Sequence, residues 1–229
     1  MAGNEVVINI RGTGAPQAQR EVEGFTGSLK RMGEVAGGFV AAQLGITLVG
    51  GIQAAMRASL DFETSMARIV GLAGQQRSVV QGWRSDIFAI SQETGIAATD
   101  LGKALYFVTS SGIASSEAIN VLRTAARSSA SGLGEASVIA DALTSAMNAY
   151  GASNLSAAKA ADIMTAAVRF GKLEADQLAP VLGTILPLSS ALGIGFEQVA
   201  GSLAVMSRTG LNASEAAVSL QAILSTMMK

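Results

Sequence analysis

The sequence predicts an all-α protein: a multi-helix bundle of short, glycine-capped helices, preceded by a long Gly/Ala-rich helix and one short N-terminal strand. Three observations carry this. The 229 residues are 49% apolar and only 14% charged, which suffices to bury a core and is unlike a disordered chain. Its 41 alanines and 26 glycines against three prolines favour closely packed helices cut by glycine rather than by proline. A corner motif built on glycine then recurs through the second half of the chain.

Glu5 to Ile10 (EVVINI) is short and β-branched, a single strand that would need a partner from elsewhere. No basic stretch leads an apolar run at the N-terminus, so no cleaved export signal is read and use inside the cell is the default. Beyond Pro16, the residues Val22, Phe25, Leu29, Met32, Ala36 and Phe39 follow a 3-4-3-4-3 spacing, a heptad seam. This makes Val22, Phe25, Leu29, Met32 and Phe39 candidates for self-association. With fewer than three heptads, an ordinary amphipathic helix is the other reading. Residues 1–34 form this first segment.

The second segment, residues 35–60, contains no charge from Val35 to Met56. As a helix it would run ~33 Å, about the thickness of a bilayer core. Its composition argues for packing within a helical assembly instead. Gly37, Gly38, Gly45, Gly50 and Gly51 thin out the large side chains, and small residues four apart, such as Gly33/Gly37 and Ala41/Gly45, let helices approach closely.

Residues 61–229 read as a core helical domain. Gly95-Ile96-Ala97-Ala98-Thr99-Asp100 is followed by Gly112-Ile113-Ala114-Ser115-Ser116-Glu117, Gly193-Ile194-Gly195-Phe196-Glu197 and Gly210-Leu211-Asn212-Ala213-Ser214-Glu215, with weaker copies at Gly132, Gly151 and Gly171. In each, glycine takes the left-handed position closing a helix and the apolar residue folds back on the last turn. Ser, Thr or Asn then caps the next helix, and an acid faces its dipole. Gly95, Gly112, Gly132, Gly151, Gly171, Gly193 and Gly210 thus become structural helix caps, 17 to 22 residues apart. They leave helices of roughly 11 to 16 residues. Leu101, Leu105 and Val108, then Ile119, Leu122 and Ala126, then Ile139, Leu143, Ala146 and Tyr150 keep one apolar face. Two-helix units of this length also suit a repeat solenoid.

Chemistry is scarce. With no Cys and no His there is no disulfide, thiolate nucleophile, imidazole base or usual zinc ligand set. A formal charge of −1 offers no excess to hold nucleic-acid phosphates, so sequence-specific nucleic acid is not an expected partner. The carboxylate pairs Asp61/Glu63 and Glu174/Asp176 are two apart and do not face each other on a helix; Asp86 and Glu93 are seven apart. Asp100, Glu117, Glu135, Glu174 and Glu215 read as first-turn acids. The Gly-rich stretches lack the Lys-Ser/Thr of a phosphate loop. Arg123 and Arg127 read as a solvated face, and Trp83 with Val80, Ile87 and Ile90 as core. No catalytic residue, metal or cofactor is expected.

From Asp61-Phe62-Glu63 through Met66-Ala67 and Gly71-Leu72-Ala73-Gly74 to the Thr94-Gly95 corner, the chain resembles the N-terminal and core region of phage tail tape measure proteins. The resemblance continues through Tyr106 to Gly112 (YFVTSSG), Asp141-Ala142-Leu143 with Tyr150-Gly151, and Gly193 to Leu211, covering residues 58–229. It rests on the order and spacing of these stretches together. It implies a non-enzymatic component of the virion tail, made in the host cytoplasm. Copies lie along the growing tail, coated by tail assembly chaperones; the tail tube protein polymerises around them, with tail tip or neck proteins at the ends. The protein leaves at DNA ejection, with the host membrane as a further contact. Seven corners cannot make one long rod, so this segment is expected to be a folded head piece of a longer protein rather than the ruler. The rival readings are a membrane-inserting helical pore, built on residues 35–56, and a helical-repeat adaptor.

Overall fold

Alternating apolar periodicity and glycine corners produce nine helices among the residues this computed structural model describes, residue 54 and residues 57–228. They are α1 (57–71), α2 (Arg77–Thr94), α3 (Ala98–Ser110), α4 (Ser115–Ala130), α5 (Ala136–Tyr150), α6 (Ala157–Phe170), α7 (Ala175–Ala191), α8 (Phe196–Arg208) and α9 (Ala213–Met227). No strand occurs among the described residues. The strand expected at Glu5 to Ile10 lies outside them, as do the amphipathic helix with its heptad seam and residues 35–53. From α2 onward the helices run 13 to 18 residues, slightly beyond the range expected.

The bundle is built on short-range connectivity. From α2 onward, the extensive helix contacts join each helix to the one two further on and, except between α6 and α7, to the next in sequence. The result is two layers, α3, α5, α7 and α9 in one and α2, α4, α6 and α8 in the other. On the far side of α2 and α3, α1 packs through Phe62 against Phe88, with ring centroids 5.2 Å apart, and through Ser65 against Gly102. The core between the layers holds Leu101, Leu105, Leu122, Ile139, Leu143, Met164, Leu178 and Phe196, all essentially inaccessible. Each large side chain so buried contributes ~1.5–3 kcal/mol. Ala104, Ala125, Ala140, Ala146 and Ala160 are equally buried and keep the helix axes close. Trp83, Val80, Ile87 and Ile90 line the inner face of α2 as expected, while Ile119 and Tyr150 are only half-buried at the edge of the core.

Six of the seven expected corner glycines have positive φ, from 72° at Gly193 to 105° at Gly210. After α4 the Gly132 amide donates to the Ser129 carbonyl at 2.9 Å and the Leu133 amide to that of Ser128 at 3.0 Å. This is the paired closure that turns the last orphan carbonyls inward. Gly171 is a correction. It has φ −97°, which any residue adopts, and its role is space: a β-carbon there would fall 2.8 Å from both the Ala167 carbonyl oxygen and the Ser207 hydroxyl. Small polar caps also need correcting. Among α2 to α9 only Ser156 and Asn212 accept a first-turn amide through their side chains. Helices α3 and α4 start at Ala98 and Ser115 behind Ala97 and Ala114, so Thr99, Ser115 and Ser116 fall inside the first turn instead of before it.

Helix α7 runs unbroken through Pro180 and Pro187. Each ring removes an amide, leaving the carbonyls of Asp176 and Gly183 without their helical donors, at a cost of ~3 kcal/mol per interior proline. Both prolines and Gly183 lie on the exposed side. Leu178, Leu182, Ile185 and Leu186 on the other side are buried, so tertiary packing holds this helix against its own propensity.

Candidate functional site

The polar side chains that carry long-range bonds sit at helix ends, where the backbone has unpaired groups to offer. At the C-terminal ends of α3, α5 and α7 they form a ladder. Asn148 Nδ2 donates to the Ser111 carbonyl at 2.8 Å, Ser111 Oγ meets Thr144 Oγ1 at 3.2 Å, and Ser190 Oγ donates to the Ala149 carbonyl at 2.7 Å. The Tyr150 hydroxyl closes the series on the Ile194 carbonyl at 2.9 Å, with its ring stacked 6.2 Å from that of Phe196. Burial, with a smaller effect from the Glu197 carboxylate, pushes the Tyr150 phenol up to about 12. In the other layer Gln75 Oε1 accepts from the Ser115 hydroxyl at 2.6 Å beside the starts of α2 and α4. Ser207 Oγ accepts from the Lys172 amide at 2.9 Å near the ends of α6 and α8. Each bond joins helices two apart in sequence, so helices within one layer run parallel.

Of these latch residues the sequence singled out Tyr150, for an apolar face, and Ser115, for a cap, and neither for a bond between helices. The signal available was a hydrogen-bonding side chain in the last turn of successive alternate helices: Ser111, Asn148 and Ser190.

Nine charged side chains form five ion pairs among the described residues. Arg84 of α2 grips both carboxylate oxygens of Glu63 on α1, the second bond at 2.7 Å, and holds that carboxyl below the usual range. Lys159 at the start of α6 lies 2.8 Å from Glu197 at the start of α8 and lowers its carboxyl likewise. Lys103 is raised by its bond to Asp100 at 2.8 Å. Arg123 and Arg127 do more than face solvent: Arg127 bonds Glu93 at 2.7 Å, and Arg123 stands 3.9 Å from the same carboxylate. Of the acids weighed for chemistry, Glu63 and Glu93 are therefore partners of arginine, and Asp61 and Asp86 join no ion pair among the described residues. No group of three acidic residues placed to hold a metal ion occurs among them.

The buried hydroxyls of Ser65, Thr109, Thr144, Ser189 and Ser207 each bond a carbonyl of their own helix. None is available as a nucleophile without breaking that bond. An apolar groove runs between α6 and α8, floored by Ala167, Ala200 and Ala204 and rimmed by Phe170 and Val205. Both rim residues are 64% exposed. Such a surface suits packing against another chain rather than enclosing a small substrate.

Val22, Phe25, Leu29, Met32 and Phe39, proposed for self-association, lie outside the described residues, as does most of the uncharged segment at 35–56. No helix among the described residues is long and apolar enough to cross a membrane.

A curated relative, the tape measure protein of Pneumococcus phage Dp-1, is 21% identical over 184 residues, 80% of this chain and 16% of its own length. The probable tape measure protein of Clostridium phage phiCD119 is 25% identical over 190 residues, 81% of this chain and 20% of its own. The chain thus spans a fifth or less of the length of these relatives. No solved structure matches it. The resemblance read from residues 58–229 is borne out by these relatives and by a family model, described as phage-related minor tail protein, that matches residues 84–229. The chain belongs to the phage-related minor tail protein family.

Proposed function

We propose that this chain is the folded head piece of a tape measure protein, a non-catalytic component of the virion tail. Residues 58–229 dock and order the protein during tail assembly in the host cytoplasm, while tail length is set by a rod elsewhere in the full-length protein. The observation that carries the reading is the family match over nearly the whole α2–α9 stack, joined to two relatives named as tape measure proteins. The fold supports the division of labour. A stack of 13 to 18 residue helices that reverses at every corner gains only one interhelical spacing, ~10 Å, for each pair of helices, far less per residue than one continuous helix with its rise of ~1.5 Å.

The partners follow from this reading: other copies of the protein, associating through Val22, Phe25, Leu29, Met32 and Phe39; the tail tube protein and tail assembly chaperones; and tail tip or neck proteins. Release at DNA ejection is part of the same proposal. Residues 35–56 are assigned to helix packing, with the host membrane as the competing contact; liposome flotation with and without that segment separates the two.

The test is a pair of in-frame deletions in the phage, read by electron microscopy of tails. Removing residues 133–151 takes out α5, which packs on α3, α4, α6 and α7, and reverses the direction of every later helix. The expected result is loss of tails. Removing an equal length from the rest of the reading frame is expected to shorten tails by ~1.5 Å per residue, the helical rise. Intact tails shortened in proportion by the 133–151 deletion would assign the stack to the ruler, and normal tails would remove it from tail assembly.

A further inference from the structure

We propose that α7 is a strap built to open: its N-terminal two-thirds detaches locally while its C-terminal end stays latched, uncovering apolar faces of α5 and α9 that the closed stack buries. The proposal stands independently of the assignment to a tail.

Three features of α7 meet in one place. Its interior holds Pro180, Gly183 and Pro187, so two helical hydrogen bonds are missing and a third position favours the unfolded chain. All three lie on the solvent side, where nothing packs over the weakened turns, and a β-carbon on Gly183 would meet nothing within 4 Å. The first turn lacks a side-chain cap, since Glu174 at the N-cap makes no bond to an amide.

The opposite end is tied down. Ser190 bonds the Ala149 carbonyl, Tyr150 bonds the Ile194 carbonyl, and the Leu192, Gly193 and Ile194 amides close on the last turn of α7. Opening would uncover apolar surface on two helices at once, because α7 packs on both α5 and α9. Leu178, Leu182, Ile185 and Leu186 leave with it. A segment held by packing alone, against its own helix propensity, opens when that packing is briefly lost, and such segments are the ones recruited for conformational change.

Burial alone predicts no such difference. Leu182, Ile185 and Leu186 are as inaccessible as Ile139 and Leu143 of α5, so side-chain exposure gives no reason for the two helices to differ in protection. Hydrogen exchange of the whole 229-residue chain, read by mass spectrometry or NMR, therefore discriminates. The amides from Ala179 to Ile185 are expected to exchange at least ~10-fold faster than those from Ala140 to Met147, with protection rising again at Ser189 and Ser190. The double variant P180A/P187A should slow the α7 amides by at least ~10-fold while leaving α5 unchanged, because restored amides strengthen the helix. Equal exchange of α5 and α7 in the wild type, or unchanged α7 rates in a variant with normal circular dichroism, overturns the strap. Thermolysin gives a second readout: native-state cleavage between Leu178 and Leu186 is expected in the wild type and suppressed in the double variant.

Discussion

Gly171 stands so close to Ser207 that a β-carbon on the glycine would fall 2.8 Å from the serine hydroxyl, itself the acceptor for the Lys172 amide. This contact brings the end of α6 against α8. Gly171→Ala is expected to destabilise the fold by ~1–3 kcal/mol through overpacking, even though its backbone angles suit alanine. Urea denaturation measures it, and a loss below a few tenths of a kcal/mol would show that the two helices yield easily.

Gly112 poses the opposite problem: open space, but φ of 81°. Gly112→Val should cost ~1–2 kcal/mol from the left-handed penalty, and Gly112→Asn distinctly less, since asparagine tolerates that region. Equal costs for Val and Asn would mean that backbone conformation is not what selects glycine here.

Asn212 and Glu215 exchange bonds at the start of α9, Oδ1 accepting from the Glu215 amide at 2.9 Å and Oε2 from the Asn212 amide at 3.0 Å. Asn212→Ala is expected to cost ~0.5–2 kcal/mol. Ala114→Ser at the uncapped start of α4 should stabilise by a smaller amount, and thermal melts of the two variants check both signs.

Tyr150 contributes stability that is complete below the ordinary phenol value of 10.0 and fades as pH rises toward about 12, because the folded state holds the phenol neutral. Tyr150→Phe should lose ~0.5–1.5 kcal/mol at neutral pH with the bond to Ile194, yet show a shallower alkaline decline than the wild type. Lys103, raised by Asp100, declines in the same range and remains in both proteins. Parallel alkaline limbs for the two would contradict the buried phenol.

Arg84 and Lys159 hold the Glu63 and Glu197 carboxyls below 4.5, so these pairs stabilise above that value and weaken as pH falls through the lower folded values. The chain has no histidine. Stability should therefore be flat from about pH 5.5 to 8.5 and fall on the acid side below that window, with a smaller acid limb in Glu63→Gln. A step near pH 6.5 in urea midpoints would be inconsistent with this composition.

Helix class, corner positions and the inner faces of α2, α3 and α5 were legible in the sequence because they depend on local rules: apolar spacing, glycine after the last turn, and too few prolines to interrupt. The absence of His and Cys removed whole reaction classes before any fold was known. The same rules explain where the reading stopped. Whether Gly171 serves conformation or space depends on how near Ser207 comes, and Ser207 lies 36 residues away. The hydroxyl of Ser115, expected at a cap, turns to Gln75, and Arg127, expected to face water, finds Glu93. Pro180 and Pro187 each weaken a helix by local rules, but burial of Leu178, Leu182, Ile185 and Leu186 between α5 and α9 outweighs their cost. Local propensity is set within a few residues, whereas the partners of an exposed end group and the packing that overrides a proline are supplied by neighbouring helices. Only their stacking brings those groups within reach.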